Sequence, residues 1–185
     1  MNSPRAAGTS APSFRRSGTG APPPRRTGPE RRTAGAPSRA DYCDPMTSLP
    51  KAEFAFPGPL RDQLVAAILD GSKISTTGLV ADYEHEGDPL PQVGERSVVV
   101  DSEGRDVGVI EITEVRIAAL ADVDLAHAVD EGEGFTTVAQ WRAGHEEFWH
   151  GPEMRAALGD EDFTVDDTTE LVLERFRLVA DLREK

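Results

Sequence analysis

Large apolar side chains are almost absent from the first fifty residues, which confines a folded domain to the remainder of the 185-residue chain. Residues 1–52 consist mainly of Pro, Gly, Ser, Thr, Ala and paired arginines, with Phe14 the main exception before Tyr42. Such a segment cannot bury enough apolar surface to offset its chain entropy. We therefore predict a disordered N-terminal tail over residues 1–52 and one domain over residues 53–185.

The sign of the net charge also changes between residues 1–52 and residues 53–185. Residues 1–52 contain nine basic and three acidic side chains, so the net charge of −13 leaves −19 for residues 53–185. A domain this acidic repels long nucleic acids over most of its surface, and a small or short substrate is the easier case. The arginine-rich tail is a solvated extension, an RNA tether, a transit peptide, or a segment preceding a true start at Met46.

The sequence also limits the cellular setting. The single cysteine, Cys43, lies in the tail, so no intramolecular disulfide and no thiolate zinc site can form. No apolar run approaches the roughly 20 residues of a membrane helix, and the N-terminus lacks the apolar segment of a secretory signal. We predict a cytoplasmic protein without a membrane partner, and its oligomeric state stays open.

Apolar spacing within residues 53–185 predicts both helices and strands. A helix is expected over residues 60–70, ended by Gly71, and another after the capping residue Thr137. Stretches rich in β-branched residues predict strands over residues 73–80, 96–100, 107–115 and 171–179. No strand–helix–strand unit repeats, so the predicted class is α+β with a curled sheet.

Three familiar site patterns are set aside on physical grounds. His145 and His150 are five residues apart, about 140° around a helix, whereas a metalloprotease pair needs a spacing of four. Gly132-Glu133-Gly134 does not follow a predicted strand, so it gives no support for dinucleotide binding. His127 lies in a predicted short helix and is interpreted as structural or exposed. We predict no metal site and no cofactor.

The segment from Gly71 to Thr77 holds the best candidates for chemistry, because a helix ends there and a strand begins. A lysine beside hydroxyls can act as a base when burial favours its neutral form, and a threonine oxygen can attack a carbonyl carbon. A solvated Lys73 among strand-forming threonines is the alternative, which spacing alone favours. A regular strand would also point Lys73 and Thr76 to opposite faces, so a shared role requires a turn or bulge.

An acidic loop, residues 130–136, precedes the second helix. One of its carboxylates could exchange a proton with Lys73 or hold the lysine in place. The alternative is a polar loop whose acids stabilise the N-terminus of the following helix.

The order of these motifs resembles the ASCH family, whose fold is a PUA-like curled β-barrel with flanking helices. Gly71-Ser72-Lys73-Ile74-Ser75-Thr76 is similar to the glycine-x-lysine-x-x-threonine motif that follows the first helix of the family. Further matching segments follow in the order seen in larger bacterial ASCH proteins, at residues 83–95, 98–101, 110–115, 130–134, 141–145 and 172–176. The resemblance covers essentially all of the predicted domain.

One activity implied by the resemblance is amide hydrolysis. A small bacterial relative removes the acyl group from N4-acylcytosine nucleosides with a lysine, a threonine and a glutamate, which match Lys73, Thr76 and Glu133. In that mechanism the lysine takes the threonine proton, the threonine oxygen attacks the amide carbonyl, and the glutamate assists release of the cytosine amine. Gly78 stands where the relative has an arginine and Ile74 where threonine is usual, which changes how a substrate is oriented.

Other relatives are described as RNA binders or ribonucleases. In that alternative, Lys73, Arg96 and either Arg142 or Arg175 would meet phosphate, while Tyr83 or Trp141 would stack on a base. We take Tyr83 and Arg96 as the candidate substrate-binding residues, and a modified nucleoside or a short RNA as the partner. Regulatory ligand binding without turnover is a third possibility. The two tryptophans, on the apolar face of their helix, are predicted to be core.

Overall fold

The computed structural model describes residues 14–17 and 49–183 of the chain. Within these ranges the chain forms six strands and five α-helices. In chain order they are β1 (Phe14–Ser17), β2 (Lys51–Phe54), α1 (Pro59–Asp70), β3 (Ser75–Leu79), α2 (Val80–Glu86), β4 (Arg96–Val100), β5 (Asp106–Ala119), α3 (Leu125–Asp130), α4 (Val138–Trp149), α5 (Pro152–Leu158) and β6 (Glu170–Asp181). The predicted α+β class is confirmed.

All six strands belong to one sheet, in the order β1-β2-β4-β5-β6-β3. Only β2 and β4 pair in parallel, and the other neighbours are antiparallel. The long β5–β6 ladder shifts register at two places, between Val109 and Ile110 and between Ile112 and Glu114. Such irregularities bend and twist a ladder, which explains the curled sheet.

The hydrophobic core joins the helices to the sheet. Helix α4 contributes Trp141 and Trp149, both completely buried, as the sequence predicts. Leu64 of α1, Phe54 of β2 and Phe176 of β6 belong to the same buried cluster. Large aromatic side chains dominate the energetics of such a core, so α4 is firmly fixed against the rest of the domain.

Local sequence features determine where α1 ends and where α4 begins. Helix α1 stops at Gly71, which has a left-handed φ of 85°, as predicted. Thr137 caps α4 by accepting a hydrogen bond from the backbone N–H of Gln140. The Gln140 side chain accepts in return from the backbone N–H of Thr136, one residue before the usual capping-box partner. None of the helices in the described ranges has an apolar stretch long enough to cross a membrane.

Several predicted bounds change in the structure. The strand predicted over residues 73–80 is shorter, because Lys73 and Ile74 precede β3 and Val80 already begins α2. Helix α2 is not predicted by the sequence pattern, since its first residue continues a β-branched stretch. The strands predicted over residues 107–115 and 171–179 both extend further, as β5 and β6.

The sheet also begins earlier than the predicted boundary at residue 53. Strand β2 starts at Lys51, and β1 pairs antiparallel with it, with Phe14 opposite Phe54. Strand β1 and the first two residues of β2 lie within residues 1–52, for which the sequence predicts a tail. The remainder of that predicted tail, residues 1–13 and 18–48, lies outside the described residues.

Candidate functional site

Lys73 and Glu133 form a buried ion pair. Lys73 Nζ lies 3.0 Å from Glu133 Oε1, and the two side chains are 0% and 1% exposed. Lys73 Nζ also donates a hydrogen bond to the backbone carbonyl oxygen of Glu131, at 3.2 Å. A solvated lysine, the alternative that spacing favours, is therefore wrong for Lys73, and two of the three residues implied by the resemblance meet.

A close backbone approach brings the pair together. The backbone N–H of Ile74 donates to the carbonyl oxygen of Asp130, which ties the acidic loop to the start of β3. Gly132, with a φ of 67°, lies so close that an added Cβ would be 2.5 Å from the carbonyl oxygen of Ser72. Only glycine fits there, and its neighbours Glu131 and Glu133 are thereby both held against Lys73.

Burial gives Glu133 an unusual protonation. Desolvation raises the pKa of Glu133 from 4.5 to about 7, although the charge of Lys73 acts in the opposite direction. The second carboxyl oxygen, Oε2, has no hydrogen-bond partner within the described part of the chain. A carboxyl group with a pKa near neutrality can both give and take a proton, which suits general acid–base catalysis.

Glu131, on the other side of Gly132, lies in a second set of contacts. Its Oε1 accepts a 2.6 Å hydrogen bond from the hydroxyl of Thr77 and lies 3.2 Å from His127 Nε2. Its Oε2 lies 3.2 Å from His145 Nε2. Burial acts to raise the pKa of Glu131, but His145, Lys73 and the hydrogen bond with His127 together hold it well below its usual range. Glu131 is thus a buried carboxylate hydrogen-bonded through Oε1, whereas its Oε2 lies near His145 without a hydrogen-bond partner among the described residues.

Sequence reasoning missed this role of the two histidines. His127 and His145 are both almost fully buried, and His127 also contacts the Thr77 hydroxyl at 2.9 Å. The spacing of four between His127 and Glu131 places both on one helical side, a signal that could have indicated their contact. The contact of His145 with Glu131 joins α4 to this side and has no local signal.

The two threonines of β3 face opposite ways. Thr77 faces α3, as does Ser75, whose hydroxyl donates to the carbonyl oxygen of His127. Thr76 pairs in register with Glu174 of β6 and so shares the other face of the sheet. The Thr76 hydroxyl is buried and has no hydrogen-bond partner in the described residues. The structure thus brings Lys73 and Glu133 together without hydrogen-bonding Thr76 to either.

Tyr83 lies beneath Thr76 rather than on the surface. It belongs to α2, is 7% exposed, and donates a 3.1 Å hydrogen bond from its hydroxyl to Glu174 Oε1. A Cβ added at Gly78 would meet the Tyr83 ring at 3.2 Å. Tyr83 therefore fills the space beside residue 78, where the amidohydrolase relative has an arginine. A ring so buried does not form an exposed platform for stacking on a base.

The arginines considered for phosphate binding all contact carboxylates. Arg96 pairs with Glu111, which also accepts from Arg177. Arg142 pairs with Glu146 and Asp167, and Arg175 pairs with Asp130. A phosphate would therefore have to displace an acid at each of these positions.

A polar cleft of 370 Å³ lies beside His127, between the β5–β6 ladder and α3. It is lined by Glu114, Arg116, Asp124, Ala126, His127, Leu173 and Arg175. Arg116 pairs with Asp124 across it. Over residues 49–183, no group of three His, Cys, Asp or Glu side chains is arranged to hold a metal ion.

Comparisons with known proteins agree with the fold and the motif order. Residues 53–180 match the family model described as the ASCH domain. An ASCH domain from Lactobacillus crispatus JV V101 is 31% identical, with a TM-score of 0.57 over 65% of this chain and 72% of that one. Protein EF3133 from Enterococcus faecalis V583, assigned to DUF984, is 23% identical, with a TM-score of 0.58 over 66% and 70% of the two chains.

No curated protein matches the chain. The Enterococcus protein shows likeness of fold alone, whereas the family match extends over more than half of the sequence. The resemblance and the PUA-like fold predicted from the motifs are confirmed. The chain belongs to the ASCH domain family.

Proposed function

We propose that this protein is an amidohydrolase that removes the acyl group from N4-acylated cytosine nucleosides. The observation that carries the proposal is the buried contact between Lys73 and Glu133, with 3.0 Å between Nζ and Oε1. Both residues occupy motif positions that resemble the catalytic lysine and glutamate of the acylcytidine-hydrolysing relative. A buried amine beside a buried carboxyl is an arrangement suited to proton transfer.

The pair can supply a base and an acid at once. Movement of a proton along the hydrogen bond from Lys73 Nζ to Glu133 Oε1 leaves a neutral amine beside a protonated carboxyl. Burial penalises the charged form of Glu133 and raises its pKa to about 7, so this neutral arrangement is accessible near neutrality. No metal or cofactor is needed for these proton transfers.

The proposed reaction has two steps, acylation of Thr76 and hydrolysis of the resulting ester. The Lys73 amine accepts the hydroxyl proton of Thr76 as the oxygen bonds to the acyl carbon, and Glu133 gives its proton to N4 as the carbon–nitrogen bond breaks. The nucleoside leaves with an amino group, and the acyl group remains as an ester on Thr76. Water attacks this ester while Glu133 takes a water proton and Lys73 returns a proton to Thr76, so that a carboxylic acid is released.

Thr76 is assigned by the motif match, and one feature of its surroundings supports the assignment. Its hydroxyl is buried and lacks a hydrogen-bond partner among the described residues, whereas the hydroxyl of Thr77 is bonded to Glu131 and His127. Such a hydroxyl can accept a new partner, and the proposed step requires substrate binding to bring it to Lys73 Nζ, since no hydrogen bond joins the two residues in the structure.

The test is hydrolysis of N4-acetylcytidine by the full chain, followed as release of cytidine. We expect activity in the parent protein and a loss of at least about 100-fold in both Lys73→Met and Glu133→Gln, since general acid–base groups contribute on this scale. Matched controls are Lys51→Met and Glu103→Gln, which change exposed residues of the same types. The controls should keep parental activity.

Two outcomes would overturn the proposal. One is the absence of cytidine release at high enzyme concentration with a range of N4-acyl groups. The other is release that persists in folded Lys73→Met and Glu133→Gln variants, which would place the chemistry elsewhere.

The RNA-binding alternative makes a separate prediction. Affinity for a short single-stranded RNA, measured by fluorescence anisotropy, would fall steeply as salt is raised and would fall again on removal of residues 1–45. The carboxylate partners of Arg96, Arg142 and Arg175 give this alternative no support within residues 49–183.

A further inference from the structure

Glu131 joins more elements of the site than the two residues assigned to proton transfer. Its carboxylate accepts from Thr77 of β3 and lies 3.2 Å from both His127 of α3 and His145 of α4. Its backbone carbonyl oxygen accepts from Lys73 Nζ, at the end of α1. One residue thus links three secondary-structure elements to the amine of the proposed base.

Glu131 lies in the interior of the domain, so these contacts are not those of a surface acid. Glu131 is completely buried, and a buried carboxylate without partners is strongly destabilising. Packing alone would be satisfied by an apolar residue at this position, often with equal or greater stability. The placement of this charge beside the Lys73–Glu133 pair is therefore not explained by packing.

The charge of Glu131 acts on its neighbour two residues away. Burial is the largest influence on the pKa of Glu133 and raises it, Lys73 lowers it, the negative charge of Glu131 raises it, and His145 lowers it. Glu131 itself is kept ionised by His145, Lys73 and His127. The pKa of Glu131 is therefore lowered and that of Glu133 is raised, because Glu131 lies near several polar side chains whereas the main polar contact of Glu133 is Lys73.

We propose that Glu131 is a positioning residue for the proposed reaction: its carbonyl oxygen holds the Lys73 amine, and its carboxylate, fixed by Thr77, His127 and His145, keeps a proton available on Glu133. This inference rests on the proposed function for its consequence in catalysis. Its electrostatic part concerns the folded protein and is measurable without turnover.

The test is the titration of the Glu133 carboxyl by carbon-13 NMR in the full chain, compared with Glu131→Gln. Glutamine keeps the backbone carbonyl and the side-chain size but removes the charge. We expect the Glu133 midpoint to fall by about one pH unit, since the charge of Glu131 raises the pKa of Glu133 and its removal should lower it. An unchanged midpoint in a folded variant overturns the proposal.

A second variant keeps the test decisive if Glu131→Gln does not fold. Glu131→Asp keeps the negative charge and shortens the side chain by one methylene group, so the Glu133 midpoint should stay close to its parental value. A fall of the Glu133 midpoint by about one pH unit in folded Glu131→Asp contradicts the proposal, because the charge would still be present. Glu103→Gln, far more exposed, should leave the midpoint unchanged.

Kinetics separate this inference from the amidohydrolase proposal. If the parent hydrolyses N4-acetylcytidine, its rate should fall as the pH drops through about 7, because a second proton on the pair leaves Lys73 charged. Glu131→Gln should move this acidic limb to lower pH, whereas a purely structural role would lower the rate equally at every pH. A parent without activity but with the expected NMR shifts would reject the reaction and keep the electrostatic coupling.

Discussion

Strand β3 presents hydroxyl groups to two buried environments that differ in whether those hydroxyls are hydrogen-bonded. On the side facing α3, Ser75 and Thr77 both donate hydrogen bonds, and Glu131 accepts from Thr77. On the side facing α2, the Thr76 hydroxyl has no partner in the described residues, although Glu174 opposite it accepts from Tyr83. The first environment holds its hydroxyls by hydrogen bonds, and the second leaves the Thr76 hydroxyl without a partner in the described residues.

Paired and unpaired hydroxyls are expected to differ in what they contribute to the stability of the protein. A buried hydroxyl with good partners contributes to stability, and its removal leaves those partners unsatisfied. A buried hydroxyl without partners contributes little to stability, so its removal should cost little.

The largest effect is expected at Lys73. Lys73→Met removes the charge partner of Glu133 and the donor to the Glu131 carbonyl, and loss of one member of a buried ion pair costs about 3 to 5 kcal/mol. Equilibrium unfolding in urea measures the change. Lys51→Met, at an exposed ion pair, is the control and should change stability by less than about 1 kcal/mol. Equal effects of the two substitutions would show that the buried pair has no special importance.

A pH effect of about 3 kcal/mol is expected from Glu133. Its pKa is raised from 4.5 to about 7 on folding, so its stabilising contribution is fully present below pH 4.5 and is lost as the pH rises through about 7. Glu133→Gln should lack this dependence. Unfolding free energies of both proteins, measured from pH 4.5 to 7.5, should therefore diverge at the acidic end, and parallel curves would rule out a raised pKa.

The two neighbouring threonines give the sharpest contrast. Thr77→Val leaves Glu131 and His127 without a hydroxyl partner and should destabilise the protein by about 1 to 3 kcal/mol. Thr76→Val, which removes an unpaired hydroxyl, should change stability by less than about 0.5 kcal/mol and yet abolish hydrolysis of N4-acetylcytidine. Thermal unfolding and cytidine release measure the two effects. If Thr76→Val destabilised the protein more than Thr77→Val, the two environments would not differ as described.

The smallest effect is expected at Tyr83. Tyr83→Phe removes the hydroxyl that donates to Glu174 and keeps the ring against Gly78, so a loss of about 1 kcal/mol is expected. Urea unfolding is the measurement. A change above about 3 kcal/mol would show that Glu174 depends on this single donor, and the side facing α2 would then be as tightly paired as the other.

Some features of the domain follow from local sequence alone. Gly71 ends α1 because glycine adopts a left-handed backbone without strain, and Thr137 begins α4 because its hydroxyl caps a free N–H. The tryptophans of α4 are core because apolar residues at helical spacing share one face. The motif order indicates the family and the residues Lys73 and Glu133, since each motif is a short continuous segment.

Other features depend on contacts between distant parts of the chain, which no local pattern specifies. Lys73 and Glu133 are 60 residues apart, and Tyr83 and Glu174 are 91 residues apart. The contact of His145 with Glu131 requires α4 to pack beside the acidic loop. The start of α2 at Val80 overrides a residue type that favours strands. Sequence by itself determined the helix ends and the core face, because these depend on neighbours along the chain, and the resemblance of two separate motifs indicated Lys73 and Glu133 without showing that they meet. Only the tertiary structure decided which polar groups are paired, because burial and register bring distant residues together.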